Sequence, residues 1–294
     1  MTIDIMMPFY GDPGLFKVAV QSVLSQTDPN WRLVIVDDRY PDRRPAKWVE
    51  SLDEARIVYI VNDKNLGVSG NFQRCIDLAQ TEFCTIMGCD DALEPGYVAR
   101  MHELIADHPT VAYIQPGVVV IDGEGQISGS LADRIKRACM IRSNGPVELG
   151  GERLAASLAR ANWTYFPSIC WRAETLRRHG FRPDYRIVLD LALQFEIILS
   201  GSDMLLDNRI KTFRYRRHTA SVSSWTAVDG SRFTEERLLL NEVAERFRAE
   251  GWTRAYRASK RRVTSRLNAL KQIPAALKAR DRLGLSVLMQ HTFR

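Results

Sequence analysis

The chain of 294 residues contains no apolar run approaching the ~18 residues that a membrane-crossing helix needs, so a threaded bilayer protein is not expected. Cysteine is scarce and shows no pairing pattern. The five thiols, Cys75, Cys84, Cys89, Cys139 and Cys170, are odd in number and include no CxxC spacing, so they read as reduced cytosolic cysteines. The basic start of a signal peptide is missing as well, because Met1-Thr2-Ile3-Asp4 carries an acid. The expected location is therefore the cytoplasm. Nor does any nucleic-acid motif accompany the basic residues, and nucleic acid is not an expected partner.

What is present is an ordinary globular composition, 45% hydrophobic and 26% charged, sufficient for a full core. The net charge of +6 is unevenly placed. From Arg254 to Arg282 ten Lys/Arg accompany one acid, Asp281, giving +9, and the remainder balances 31 basic against 34 acidic residues, or −3. The excess belongs to the C-terminal region.

The centre of the chain is Glu82 to Gly96. Phe83 to Met87 reads as a buried parallel strand that stops on Asp90 and Asp91 before Glu94-Pro95-Gly96 opens a helix. Adjacent carboxylates at the carboxyl end of such a strand are tolerable when a cation lies between them and something anionic, and Asp91 could otherwise cap the following helix. Upstream, Ile3 to Phe9 reads as a first strand that Pro8 ends, with Tyr10 just beyond, an aromatic face suited to a flat base. Gly11 to Gly14 reads as a loop and Leu15 to Gln26 as a helix facing a sheet through Val18, Val23 and Leu24. Arg32 to Val36 is a second strand ending on Asp37-Asp38. An aspartate there can accept the imide N–H of uracil or thymine or the N1–H of guanine, or simply cap a helix. After a polar helix at 43–55 and a strand Arg56 to Val61, Asn62 to Asn71 reads as a glycine-containing loop before the helix Phe72 to Ala79. Gly67 and Gly70 would let a ligand approach the backbone. With a helix from Tyr97 and a strand Val111 to Ile121, the β-α alternation implies a doubly wound, mostly parallel α/β sheet with helices on both faces.

Pro8-Phe9-Tyr10, Ser22 to Gln26, Leu33 to Asp38, Asn65-Leu66-Gly67 with Asn71, and Gly88-Cys89-Asp90-Asp91 together resemble the successive signatures of family 2 glycosyltransferases of the GT-A fold. The likeness spans roughly residues 1–225. It implies a catalytic domain at 1–225, made of a nucleotide-sugar-binding half at 1–122 and an acceptor half at 123–225, followed by a basic helical extension at 226–294. It also implies a donor site with Pro8, Tyr10 and Asp38 near the base, Asn65, Gly67 and Asn71 in the adjoining loop, Asp90 near the ribose and sugar, and Asp91 on Mn²⁺ or Mg²⁺. The pattern departs from the family at two points. Gly88 stands where a first acid is usual, leaving Asp90 and Asp91 to serve alone, and Arg39-Tyr40 replaces small residues after Asp38.

In the second half, Gly123-Glu124-Gly125 reads as a hairpin turn, and Asp133 to Pro146, lacking a clear period, as a mobile or acceptor-covering segment. Asn162 to Ser168 concentrates aromatics that suit either sugar rings or a core. Asp190 enters an apolar helix as a single acid, either a cap or the base that takes the acceptor's proton in an inverting displacement, with Glu196 a second choice. Tyr215 to Ser223 is similar to the family's Arg-x-His-x-x-Ser-x-Ser segment. That likeness puts Arg216, Ser221 and Ser223 on the diphosphate and His218 on the metal, although a lone histidine is also a common structural residue.

Beyond Thr234, Glu235 to Arg248 reads as a helix, Gly251 as a break, and Tyr256, Val263, Leu267, Leu270 and Leu277 as an apolar stripe at helical spacing that Pro274 interrupts or kinks. An anionic membrane surface along 254–282, the protein's own domain, or a second copy could cover it. The expectation is a non-processive transfer from a nucleoside diphosphate sugar, most readily UDP-linked, to a glycan or glycolipid acceptor, with the protein peripheral on the inner membrane face. A sugar-phosphate nucleotidyltransferase and a non-catalytic nucleotide-binding or membrane adaptor are the alternatives.

Overall fold

The computed structural model describes residues 1–129, 131–217, 231–278 and 281–293. Its first half alternates β1 (Ile3–Phe9), α1 (Pro13–Leu24), β2 (Trp31–Asp37), α2 (Arg44–Glu50), β3 (Ile57–Val61), α3 (Gly67–Leu78) and β4 (Phe83–Ile86). These four strands lie side by side in the order β3-β2-β1-β4, all parallel. Side chains alternate across the sheet, so Ile3, Ile5, Met7 and Phe9 of β1 enter one apolar layer while Met6 enters the other. Both faces are covered, which is why the strands read as nearly continuous apolar runs.

The chain continues through β5 (Ala92–Leu93), α4 (Tyr97–Asp107), β6 (Tyr113–Ile121), α5 (Leu131–Cys139), β7 (Val147–Leu149), α6 (Gly151–Arg160), β8 (Cys170–Arg172), α7 (Ala173–His179), α8 (Leu189–Leu199) and β9 (Met204–Arg216). Among the described residues the sheet has nine strands and extends as β4-β8-β6-β9-β5, with β7 also on β9. Strand β8 is antiparallel to both neighbours, and β6 and β9 are parallel. The register between these two shifts at Gly117, where an added Cβ would lie 2.3 Å from the Ile210 carbonyl oxygen, so only glycine lets the bulge close.

Several elements differ from expectation. Asp12 caps α1 by accepting from the Gly14 and Leu15 amides, so the helix begins at Pro13, and Val18 is exposed while Phe16, Ala19, Val20 and Val23 face the sheet. Helix α3 begins at Gly67 rather than Phe72, with Gly67 at φ 70°. The segment read as periodless contains α5, which turns Asp133 and the Lys136 ammonium inward and leaves Ile135 exposed. Arg134 and Arg137 face outward with Ile135, so charge lies on both sides of the helix and no simple apolar face marks it in the sequence.

Among the described residues four more helices follow: α9 (Ser231–Ala249), α10 (Thr253–Arg261), α11 (Val263–Lys278) and α12 (Arg282–Phe293). The break at Gly251 has φ 76°, and Pro274 is accommodated inside α11. Leu239, Leu240, Val243, Phe247 and Ala255 join the same buried cluster as α6 and α8, so α9 and α10 complete the main core.

Candidate active site

The carboxyl ends of β1, β2 and β4 meet at one edge because the three strands are parallel and in register, Phe9 opposite Asp37 and Met6 opposite Ile86. Pro8 lies within β1 opposite Val36, and Tyr10, 57% exposed, projects beyond the strand. Tyr40 packs against Phe9 at 4.9 Å and meets Tyr10 edge-on at 5.7 Å. The substitution of Tyr40 for a small residue thus places a second ring beside Tyr10. Asp37 turns the chain there: it accepts the Tyr40 amide and the Tyr59 hydroxyl, both at 2.7 Å, and Arg39 takes φ 64°.

Asp38 is the hub of a buried network. One carboxylate oxygen accepts from Asn62 Nδ2 at 2.9 Å and the Leu66 amide at 2.7 Å, and the other accepts the Gly67 amide at 2.9 Å. Asn65 Nδ2 donates to the Asp38 carbonyl at 2.9 Å. Asn71 is buried behind this loop, accepting from Asn62 and donating to the Val36 carbonyl, both at 2.9 Å. Its amide is spent inside the protein, so in this structure it supports the loop rather than facing a ligand. Sequence reading overlooked Asn62, whose signal was only its place in a polar loop.

The acidic turn is pressed against the β1 loop, since a Cβ on Gly11 would lie 3.1 Å from Cys89 Sγ. The Cys89 thiol is pushed up to about 12 by burial and the neighbouring Asp90, and is chemically quiet. Asp91 is 2% exposed and caps nothing, because helix α4 starts later, behind Gly96. Its Oδ1 accepts the Arg216 amide at 2.8 Å. Strand β5 makes that contact possible by pairing Ala92 with Arg214, so the turn is stitched to the end of β9. Burial, and then the Asp90 charge, hold the Asp91 carboxyl well above the usual range, opposed by the Arg216 amide and guanidinium.

Gly88 explains itself here. An ideal Cβ on it would lie 2.7 Å from Asp91 Oδ2 and 2.8 Å from Asp90 Oδ1. The two oxygens converge on the space that a side chain at 88 would fill. Such a mutually repelling pair, with Asp91 buried and Asp90 partly exposed, fits a divalent cation of the Mn²⁺ or Mg²⁺ type. Among the described residues no third His, Cys, Asp or Glu joins them, so further ligands would come from the donor's phosphates, from water or from elsewhere in the chain. His218, Ser221 and Ser223 lie outside the described residues.

Arg216 departs from its expected role. Its buried guanidinium donates from Nε to the Asp90 carbonyl at 2.7 Å and from one terminal nitrogen to the Asp122 and Gly123 carbonyls at 2.9 and 3.0 Å. It staples two loops to the end of β9 instead of presenting its face to phosphate, because backbone carbonyls hold Nε and one terminal nitrogen.

Asp190 stands in the first turn of α8 and makes no cap; its Oδ2 accepts from Asn162 Nδ2 at 3.1 Å. It lines a cavity of about 530 Å³ together with Asn162, Thr164, Tyr165, Lys136 and Arg217. The aromatic stretch therefore divides its work: Trp163 is core, whereas Tyr165 and Phe166 border the cavity. Neither Asp38, Asp90 nor Asp91 lines this space. It meets the acidic turn across the end of β9, where Tyr215 and Arg217 border the cavity and Arg216, between them, holds Asp91. Arg217 pairs with Asp133 at 2.8 Å, and Lys136 Nζ donates to the Thr164 carbonyl at 2.9 Å. Burial, followed by Arg217 and Arg232, pushes the Lys136 ammonium down to about 7.

Helix α9 brackets the approach to Asp190. Glu235 accepts the amides of Arg186, Ile187 and Val188 at 3.0, 2.8 and 3.4 Å, and Glu242 holds Arg182 and the Tyr185 hydroxyl. Glu196, the second choice of base, is committed to Arg246, with one contact at 3.0 Å, and is structural. Sequence reading missed Glu235 because its partners are backbone amides remote in the chain.

The model of the family described as "Glycosyl transferase family 2" matches residues 4–160, more than half of the chain. The protein belongs to that family. The family is one of glycosyl transferases and not of nucleotidyltransferases. The putative colanic acid biosynthesis glycosyl transferase WcaA of Escherichia coli is 33% identical over 42% of this chain and 44% of its own length. The Escherichia coli UDP-Glc:alpha-D-GlcNAc-diphosphoundecaprenol beta-1,3-glucosyltransferase WfgD is 30% identical over 30% of this chain and 35% of its own length. The chain thus aligns with less than half of either relative. The mannosyltransferase PcManGT from Pyrobaculum calidifontis, solved with GDP-Man and Mn²⁺, superposes with TM-score 0.63 at 13% identity over 98% of this chain and 78% of its own, which shows a shared GT-A fold.

Proposed function

We propose that this glycosyltransferase moves a sugar with inversion from a nucleoside diphosphate sugar, preferably UDP-linked, to a hydroxyl of a lipid-linked or polysaccharide precursor, one addition at a time. The observation that carries the reading is Asp190, a carboxylate that caps no helix and stands in the wall of a roomy cavity bordering the strand end that grips the acidic turn. The names of WcaA and WfgD support a polysaccharide or lipid-linked acceptor.

Tyr10 and Tyr40 offer ring faces and edges to the base, and the second Asp38 oxygen, which accepts the Gly67 amide, has the acceptor chemistry that an imide N–H would use. Asp90 and Asp91 would hold Mn²⁺ or Mg²⁺, which when bound neutralises charge on the departing diphosphate. Asp190 accepts the proton of the acceptor hydroxyl as its oxygen bonds to the anomeric carbon, and the bond from that carbon to the diphosphate oxygen breaks with its electron pair leaving on the phosphate. Asn162 fixes the rotamer of Asp190 and leaves Oδ1 for the proton. A single displacement inverts the anomeric centre.

The test is Asp190→Asn. Turnover of a UDP-sugar should fall about 10³-fold while the thermal shift given by UDP is unchanged. Near-normal turnover in this variant would refute the assignment.

A further inference from the structure

Helix α11 turns its small residues inward and its large ones out. Ser265, Ala269 and Ala276 are buried, whereas Val263, Leu267, Leu270 and Leu277 are 54, 60, 45 and 56% exposed. With Pro274, also exposed, these residues recur at alternating steps of four and three and make one continuous stripe. Exposed Lys271 and Lys278 run along its flank. Helix α12, packed against α11, adds exposed Leu283, Met289 and Phe293.

Charge decides what covers this stripe. Residues 254 to 282 hold ten basic residues and one acid, Asp281, so a second copy of the chain would bring mostly cations against cations with a single carboxylate in the segment to answer them. Pro274 within the stripe also suits a coiled-coil seam poorly. An anionic lipid surface supplies the missing negative charge, and a helix with an apolar stripe and cationic flanks is the kind that lies in a headgroup layer.

We propose that α11 seats on an anionic bilayer, its stripe among the headgroups and its lysines on the lipid phosphates. Leu267 and Lys271 also line the Asp190 cavity, so docking by this face opens the cavity mouth onto the membrane, where an acceptor anchored in lipid presents its hydroxyl. This last step rests on the cavity being the acceptor's.

The experiment is cosedimentation of the full chain with vesicles of one part phosphatidylglycerol to two parts phosphatidylcholine, and with pure phosphatidylcholine vesicles. The wild type should bind the first and bind the second far less. Leu270→Glu combined with Leu277→Glu, at positions outside the cavity wall, should lower binding by about tenfold or more with an unchanged melting temperature and UDP-induced shift. Absence of wild-type binding to the anionic vesicles, or equal binding by the double variant, overturns the proposal. A wild-type dimer in ultracentrifugation that the double variant dissolves would do the same, assigning the face to a second copy. Asp190→Asn should retain vesicle binding, so a failure of membrane docking and a failure of the transfer chemistry give different results.

Discussion

Asp4 and Asp91 are about equally buried at opposite ends of the central strands, yet they are treated differently. Asp4, near the start of β1, receives Arg32 through two bonds at 2.8 and 2.7 Å and the amides of Gln80 and Thr81 at 2.7 and 3.1 Å. Its charge is fully answered from within, and the residue is architecture. Asp91, just past β4, faces the like charge of Asp90, and backbone amides are its main compensation. A buried carboxylate left in this state suits the proposed cation, while one clamped by an arginine fork is a finished joint.

Exchanging each acid for its amide should separate the two roles. Asp91→Asn is expected to lower turnover by about 10³-fold with melting unchanged or raised, because it removes a buried repulsion. Asp4→Asn leaves the Arg32 guanidinium partly buried without its partner and should cost about 2–3 kcal/mol in denaturant unfolding, with little change in turnover per folded molecule. Gly88→Ala sharpens the contrast further. The new methyl would displace the Asp90 and Asp91 oxygens, and the amount of Mn²⁺ needed for half-maximal turnover should rise about tenfold in a protein that melts normally.

Smaller effects follow at the acceptor side. Glu235→Gln weakens the bracket on the amides at 186–188, and kcat should fall about fivefold with an unchanged KM for the donor, as expected of a residue that acts through the placement of Asp190. Lys136 sets a pH dependence. Its ammonium is held at about 7 in the fold, below its ordinary 10.5, so between those values the unfolded chain carries more protons and stability rises with pH. Lys136→Met should flatten that rise and stabilise the protein at pH 7; chemical denaturation at a series of pH values reads both effects.

The parallel half of the sheet was legible because its strands are covered on both faces and end in polar clusters, and Gly180 and Gly251 stop their helices as glycines at positive φ do. What could not be read depends on contacts distant in sequence. Strand β5 has two residues and exists because β9 pairs with it; α5 turns Asp133 and Lys136 inward toward a cavity; Arg216 is recruited by carbonyls from two loops. Asp90, Asp91 and Asp190 were picked out as acids ending or opening apolar elements. That Asp190 belongs to a separate cavity across the end of β9 needed coordinates. The loss of an acid at Gly88 looked like a weakness in one dimension and is the space for two carboxylates in three.

The claim on which the account turns is that the Asp90–Asp91 turn holds a cation against a nucleotide diphosphate. Thermal unfolding of the wild type and of Asp91→Asn with UDP, in the presence and absence of Mn²⁺, measures it directly. At saturating ligand, Mn²⁺ with UDP should raise the wild-type midpoint by roughly 5 °C beyond UDP alone, and Asp91→Asn should abolish that increment. An increment that is absent from the wild type, or that persists in Asp91→Asn, would contradict it.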